Sequence, residues 1–285
     1  MVTYVALAYA LSWAWWVPLA VGGDVVRSGF TPTHLPGLLG PMLAALLVES
    51  TVAGRLGLQQ LLRSMSCWRI GAGWWLVTLS PLLLTMVVFS ANGLMTGAWP
   101  SVTDLGSVNG FPTLAGGAGV AVLTVLLVVV NGFGEETGWR GLLLPRLQRR
   151  MRPIPAVMLL TVVWAGWHLP LFWVVESFRS FSAATVVGFL IGMFSGAVVL
   201  AWIFNHTGSV LAVACWHAAY NLGSAPVAAR GVVATVVTSV VIAQAVVLIV
   251  METARGGGVL LPSRSAVNID QPGHSRHTFE PDGDH

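Results

Sequence analysis

Two adjacent carboxylates and an arginine lie in a stretch of this chain that is otherwise apolar enough to cross a bilayer: Glu135, Glu136 and Arg140. Ionisable side chains are costly in lipid and usually serve a function there. Residues four apart share a helix face, so Glu136 and Arg140 can pair while Glu135 points about 100° away. This spacing predicts that Arg140 keeps Glu136 ionised as a scaffold and that Glu135 is free to exchange protons.

Two histidines complete the polar set in the apolar stretches. His168 lies four residues after Trp164, and His217 lies four residues before Asn221, so each pair shares one face of a helix. Either histidine alone is compatible with a hydrogen-bonded packing residue. A carboxylate such as Glu135 together with two imidazoles can also perform acid–base chemistry on water. We therefore interpret these residues as a buried catalytic cluster.

The elements that must position these side chains are transmembrane helices. The chain has 285 residues, of which 55% are hydrophobic and only 9% charged, whereas a soluble domain carries about 25% charged residues. We predict an all-α, polytopic membrane protein with about eight spans of roughly 20 apolar residues each. The apolar runs fall at about 3–21, 36–53, 73–95, 114–135, 154–175, 181–204, 208–223 and 230–251.

Three regions follow from this pattern. Residues 1–110 are predicted to hold the first transmembrane helices and an interfacial amphipathic helix at 55–69. Residues 111–253 contain every polar residue of the cluster and form the predicted functional core. Residues 254–285 are rich in Gly, Pro, Ser and Asp, so we predict a disordered polar tail.

Arginine placement predicts the topology, since the chain has no lysine. One side of the predicted bundle carries ten arginines, and the other side carries only Arg27, Arg179 and Arg230. The positive-inside bias places both termini in the cytoplasm of a multi-pass protein of the cell membrane. His168 and His217 then lie about 12–20 Å along their helices from the cytoplasmic side, at 1.5 Å per residue. We expect them to meet Glu135 in the cytoplasmic half of the membrane.

The order of these motifs resembles a known family. Glu-Glu-x-x-x-Arg, an aromatic-x-x-x-His and His-x-x-x-Asn, spread over residues 117–225, resemble the CAAX-protease and bacteriocin-processing family of intramembrane glutamate endopeptidases. The resemblance implies that Glu135 activates water, that His168 holds and polarises it, and that His217 and Asn221 stabilise the oxyanion. The family usually has Phe where this chain has Trp164, which keeps an aromatic wall but narrows the site.

In this resemblance Glu136 and Arg140 form a structural pair, in agreement with the helical-face argument. A metal ion is an open alternative, because Glu135, His168 and His217 would make a three-ligand catalytic zinc set. The His-Glu-x-x-His signature of soluble zinc proteases is absent, however, and an Asn is a better hydrogen-bond donor than a zinc ligand. We therefore favour a site without metal or other cofactor.

The predicted function is hydrolysis of a peptide bond in a membrane-embedded or lipidated peptide or protein, of CAAX type or bacteriocin type. The partners are this substrate and the lipid bilayer, with no nucleic acid. Two other classes remain as alternatives. A proton-coupled transporter would also use intramembrane Glu, Arg and His, and a non-catalytic immunity or partner protein could bind other membrane proteins through the same cleft.

Overall fold

The computed structural model describes residues 1–29, 33–113 and 116–261, and the regular structure of this part is helical apart from two isolated β-bridges. Seven of its helices are long and apolar enough to cross a membrane. An eighth helix, α7, is shorter. In chain order they are α1 (Val2–Gly22), α2 (Leu35–Met65), α3 (Ala72–Thr96), α4 (Gly116–Gln148), α5 (Pro153–Val174), α6 (Ala183–Thr207), α7 (Val210–Ser224) and α8 (Val232–Ala254).

The fold class is thus the one predicted, but one of the eight predicted spans, helix α7, is shorter than expected. Helix α7 corresponds to the predicted run 208–223 but has 15 residues, about 22 Å at 1.5 Å per residue. This length falls short of a hydrocarbon core of about 30 Å. Helix α7 packs against α3, α4, α6 and α8, so it is an inner helix of the bundle, surrounded by the longer spans.

Helix α4 differs most from its predicted run, 114–135. It continues to Gln148 because Glu136 and Arg140 are paired inside the protein and do not end the helix. Glu135 therefore lies about 20 Å before the end of α4, at 1.5 Å per residue, and not at the end as the apolar run suggested. The predicted catalytic cluster is correspondingly deeper in the bundle than the predicted span placed it.

Two π-helical segments interrupt α4, at Leu127–Phe133 and Trp139–Leu143. Between them lies an α-helical stretch, Gly134–Gly138, that carries both glutamates. The flanking α-helical parts are Gly116–Leu126 and Leu144–Gln148. Single-turn π-helical segments inside α-helices are frequent at functional sites.

Helices α2 and α5 are also composite. Helix α2 bends at Gly54, whose φ of +65° is accessible to glycine at little cost. The stretch after the bend is helical over Gly54–Met65, in agreement with the predicted amphipathic helix at 55–69. The segments of α2 are Leu35–Leu38, Gly40–Val48, the π-helical Glu49–Ala53 and Gly54–Met65, and those of α5 are Pro153–Trp167 and Leu171–Val174.

The bundle has two ends that differ in charge. The arginine-rich end comprises the connections near residues 54–71, 146–153 and 205–210, where Arg146 pairs with Glu49 at 2.8 Å. The arginine-poor end comprises the described parts of 23–34 and 97–115, together with 168–182 and 225–231. Three short helices lie in these connections, at Val102–Leu105, Glu176–Arg179 and Val227–Ala229.

Helix α1 holds the end of α5 in place through hydrogen bonds. The Tyr9 hydroxyl donates to the carbonyl oxygen of Val163 at 2.6 Å, and the Trp13 indole donates to that of Trp167 at 3.0 Å. The Trp167 indole donates in turn to the Ser12 hydroxyl at 2.7 Å. These bonds anchor the part of α5 that carries the predicted site residues Trp164 and His168.

The start of the predicted tail packs against α8. The carboxylate of Glu252 accepts hydrogen bonds from the backbone N–H groups of Val259 and Leu260, at 2.7 and 2.8 Å, and Leu260 is fully buried. The packed part of the chain therefore continues beyond residue 254, where the polar composition begins. The remainder of the predicted tail, 262–285, lies outside the described residues.

Candidate active site

Glu135 is buried, and its carboxylate is held by neutral donors. Its Oε2 accepts a hydrogen bond of 2.7 Å from the indole Nε1 of Trp164. Its Oε1 accepts a long hydrogen bond of 3.4 Å from the side-chain amide of Asn131, one turn earlier on α4. This carboxylate is therefore positioned without being neutralised by the neighbouring arginine.

Glu136 forms the predicted pair with Arg140, and also contacts the imidazole of His217. Arg140 Nη1 lies 2.9 Å from each carboxylate oxygen of Glu136, and both side chains are fully buried. Nδ1 of His217, on α7, lies 2.8 Å from Oε1 of Glu136. The Trp164 ring covers the guanidinium of Arg140, whose Cζ is 4.6 Å from the ring centroid, a cation–π contact. The two adjacent glutamates thus have different partners, as the helical-face argument predicted.

The hydrogen-bond partners of the two histidines assign their tautomers. His168 Nδ1 lies 2.8 Å from the backbone carbonyl oxygen of Trp164. A carbonyl oxygen only accepts, so Nδ1 carries the proton and Nε2 of the neutral ring has a free lone pair. His217 Nδ1 likewise donates to the carboxylate of Glu136. In both rings Nε2 is the nitrogen that these hydrogen bonds do not use.

Five of the predicted site residues line one cavity of about 760 Å³: Glu135, Trp164, His168, His217 and Asn221. Glu136 and Arg140 are not part of the lining and lie behind it. The structure therefore brings together the residues predicted to contact a substrate and places the predicted scaffold pair directly behind them. The remaining lining includes the aromatic residues Phe111, Phe178, Phe181, Phe189, Trp216 and Tyr220.

The cavity extends toward the arginine-poor end of the bundle. Its lining includes connection residues of that end, among them Asn109, Val175 and Ala225, and the exposed Arg230. The sequence placed the cluster in the cytoplasmic half because Glu135 stood at the end of its apolar run. Since α4 continues to Gln148, the cluster lies inside the bundle, and its placement in the cytoplasmic half of the membrane stays a prediction.

Two residues of the cavity were missed by the sequence analysis. Asn131 precedes Glu135 by one helical turn in an apolar run, so its spacing from Glu135 could have identified it as a site residue. His34 lies in a connection and had no motif around it. Its side chain is buried against Phe111, and burial together with the nearby His168 lowers the pKa of His34 to about 4. His34 is therefore a neutral imidazole at neutral pH.

Glycines allow α4 to approach its neighbours closely. A Cβ at Gly132 would lie 2.6 Å from the carbonyl oxygen of Ala214 on α7, and one at Gly134 would lie 2.8 Å from that of Leu38 on α2. A Cβ at Gly138 would lie 2.6 Å from the carbonyl oxygen of Pro41. Real Cβ atoms do not come so near. These glycines therefore serve helix packing on both sides of the glutamates.

Two side chains of the alternative zinc set, Glu135 and His217, form other contacts in this arrangement. Within residues 1–29, 33–113 and 116–261, no group of three or more His, Cys, Asp and Glu side chains is placed to hold a metal ion. Glu135 is hydrogen-bonded to Trp164, and His217 is bonded to Glu136. The absence of a cofactor stays a prediction.

Comparison with known proteins supports the resemblance. Residues 117–223 match the family model described as type II CAAX prenyl endopeptidase, Rce1-like. The matched residues include all three motifs, from Glu135 to Asn221, so the resemblance to the CAAX-protease family is confirmed for this part of the chain. No curated protein shows a significant match to the chain.

Proposed function

We propose that this chain, whose core resembles the CAAX-protease family, is an intramembrane endopeptidase that hydrolyses a peptide bond of a membrane-associated protein or peptide. The observation that carries the proposal is the difference between the partners of the two glutamates. Glu136 is paired with Arg140 and hydrogen-bonded to His217, whereas Glu135 lines the cavity and, among the described residues, is hydrogen-bonded by Trp164 and Asn131. A positioned carboxylate beside an imidazole is the arrangement of a general base for water.

Glu135 and His168 activate the water in this proposal. Glu135 takes a proton from the water, and Nε2 of His168 accepts a hydrogen bond from its second hydrogen. The hydroxide oxygen then bonds to the scissile carbonyl carbon, and the C=O π electrons move onto oxygen. When the C–N bond breaks, the proton on Glu135 passes to the leaving nitrogen, which leaves an acid and an amine.

His217 and Asn221 stabilise the oxyanion of the tetrahedral intermediate. Glu135, Glu136 and Arg140 together carry one net negative charge when ionised. A protonated His217 brings this sum to zero, which is favourable in a buried site. Its Nδ1–H is committed to Glu136, so Nε2–H is the donor that can point to substrate. The side-chain amide of Asn221, one turn further on α7, supplies a second donor.

The lining of the cavity favours an apolar segment as substrate. Its volume of about 760 Å³ is within the range of about 300–1,000 Å³ for ligand sites. Phe178, Phe181 and Phe189 lie against one another beyond His168, with ring centroids 5.2–5.8 Å apart. This aromatic wall suits large apolar side chains or a lipid modification next to the cleaved bond.

The test replaces the general base with an isosteric amide. Glu135→Gln keeps the hydrogen bonds but cannot take a proton, so we expect cleavage to fall at least about 100-fold. The matched control is Glu252→Gln, because Glu252 is also a buried glutamate on a transmembrane helix but lies outside the cavity. The measurement compares protein and peptide termini in membranes of cells that express the wild type or either variant at equal level.

New termini should be present with the wild type and with Glu252→Gln, and absent with Glu135→Gln. Identical termini in all samples, with every protein folded and abundant, would contradict the proposal. Termini that persist with Glu135→Gln would show that another residue activates the water or that the cleavage belongs to a different enzyme.

A further inference from the structure

A second cavity of about 870 Å³ lies at the arginine-rich end of the bundle. It is formed by three parts of the fold: the amphipathic stretch Gly54–Met65 with the residues after it, the end of α4, and the turn between α6 and α7. It shares no lining residue with the candidate active site. The proposed protease mechanism therefore assigns nothing to this cavity.

The cavity is strongly cationic. Four arginines line it, Arg63, Arg69, Arg146 and Arg149, against one acidic residue, Glu49. Glu49 is used by Arg146, at an N–O distance of 2.8 Å. Arg63, Arg69 and Arg149 form no ion pair with the part of the chain that the structure describes. The formal charge of four arginines and one carboxylate is +3, which calls for an anionic ligand with several acceptor oxygens.

The same cavity has an apolar side. Leu56, Leu61, Leu142 and Phe204 belong to the lining, and Leu56 is 70% exposed. Trp68, also in the lining, is 60% exposed and lies under the guanidinium of Arg69, whose Cζ is 5.0 Å from the ring centroid. An amphipathic helix that exposes leucines beside arginines is typical of the boundary between headgroups and acyl chains.

We propose that this cavity binds the phosphate of an anionic phospholipid, with Arg63 and Arg149 as its anion-binding residues and the apolar wall against the acyl chains. A small soluble anion would bind the guanidinium groups but has no apolar group that could contact the leucines. A zwitterionic lipid would bring its own cation into a cavity that already carries excess positive charge. Charge and apolar surface together are therefore satisfied by an anionic lipid.

The chain offers matched controls for both arginines. Arg55 lies on the same amphipathic stretch as Arg63, and Arg150 is adjacent to Arg149. Both are exposed, and neither lines the cavity. The double variant Arg63→Gln/Arg149→Gln and the control Arg55→Gln/Arg150→Gln therefore remove the same charge from the same end of the protein, but only the first removes it from the cavity.

The measurement is thermal unfolding of the full chain in neutral detergent, with added phosphatidylglycerol, phosphatidylcholine or inorganic phosphate. We expect phosphatidylglycerol to raise the Tm of the wild type and of the control by about 3 °C or more. Phosphatidylcholine and inorganic phosphate should have little effect. The Arg63→Gln/Arg149→Gln variant should lose most of the rise caused by phosphatidylglycerol.

Three results would overturn the proposal. Equal responses of the two double variants would mean that the lipid acts on net charge and not in the cavity. An equal rise with inorganic phosphate would assign the cavity to a soluble anion, and an equal rise with phosphatidylcholine would exclude selection for charge. If the cavity variant does not fold, the single variants Arg149→Gln and Arg150→Gln decide, with bound phosphatidylglycerol counted by native mass spectrometry.

Discussion

Trp164 contacts Glu135 and the arginine partner of Glu136 in different ways. Its indole N–H donates to Glu135, and its ring covers the guanidinium of the arginine that neutralises Glu136. The first contact requires an indole, whereas the second requires only an aromatic face. The tryptophan therefore contributes a hydrogen-bond donor that a phenylalanine in its place would lack.

This difference predicts the effect of Trp164→Phe. The variant keeps the aromatic wall but removes the donor to Glu135, so the general base is less well oriented. A hydrogen bond to a charged group contributes about 1.5–3 kcal/mol, and we expect cleavage to fall by about tenfold or more with little loss of folded protein. Steady-state cleavage of an identified substrate by purified protein would measure it. Unchanged activity would mean that this hydrogen bond does not position the base.

Arg140→Ala should act on stability as well as on activity. It leaves Glu136 buried without its guanidinium partner, and breaking a buried ion pair from one side costs about 3–5 kcal/mol. We expect a clear loss of folded protein, measured as the monodisperse fraction after extraction in detergent. The control is Arg27→Ala, because Arg27 pairs with Glu176 at the surface and such pairs contribute about 0–1 kcal/mol. If the two variants were equally stable, Arg140 would not be needed to hold Glu136.

The contacts within one helix could be predicted, and those between helices could not. The pair of Glu136 with Arg140 follows from helical geometry alone. The bonds from Trp164 to Glu135 and from His217 to Glu136 join different helices, and their existence depends on how α4, α5 and α7 pack. Residue spacing identified the participants but contains no information on that packing.

At the scale of single elements, α4 is packed closely on two sides. Gly132 faces the backbone of α7, and Gly134 and Gly138 face α2. Small residues at such positions let helix backbones approach each other in membranes. The distance between α4 and α7 sets how Glu136 meets His217, so one glycine controls an interhelical contact of the site.

We therefore predict that Gly132→Ala lowers activity even though alanine favours helix formation. Its Cβ would overlap the carbonyl oxygen of Ala214 and push α7 away from α4. The matched control is Gly117→Ala on the same helix, where an added Cβ meets no atom within 4 Å. We expect Gly132→Ala to lower Tm by several degrees, at a cost of about 1–3 kcal/mol, and Gly117→Ala to leave Tm and cleavage unchanged. Equal Tm values would show that the two helices can separate at little cost.

The lengths of helices α4 and α7 also could not be predicted from the sequence. Hydropathy ends a span where charged residues begin, so it ended α4 near Glu135. The helix continues because its charged side chains find partners inside the protein. For α7, hydropathy identified the apolar run but not that it is too short to span, since an inner helix and a lipid-facing helix can have similar composition.

For the molecule as a whole, the two cavities lie toward opposite ends of the bundle. The candidate active site extends to the arginine-poor end, and the cationic cavity lies at the arginine-rich end. The positive-inside bias predicts that the arginine-rich end and both termini are cytoplasmic. If so, the lipid site faces the cytoplasmic leaflet and the substrate cavity opens toward the other side of the membrane.

Cysteine labelling would test this orientation. In a Cys67→Ala/Cys215→Ala background, Asp104→Cys marks the arginine-poor end and Gln59→Cys marks the arginine-rich end, and both positions are exposed. We expect a membrane-impermeant maleimide to label position 104 in intact cells and position 59 only after permeabilisation. The reverse pattern would invert the topology and place the substrate cavity on the cytoplasmic side.

The π-helical segment Leu127–Phe133 determines where α4 can lose a residue without changing the direction of Glu135. A π turn closes its hydrogen bond one residue later than an α turn, so the segment holds a surplus residue that the helix could lose. A one-residue gap there would return the turn to α geometry and leave Glu135 facing α5. The same gap inside Gly134–Gly138, which has no surplus residue, would rotate the parts of the helix on either side of it by about 100° relative to each other. Length variation in this helix is therefore permitted before the segment that carries the glutamates and forbidden inside it.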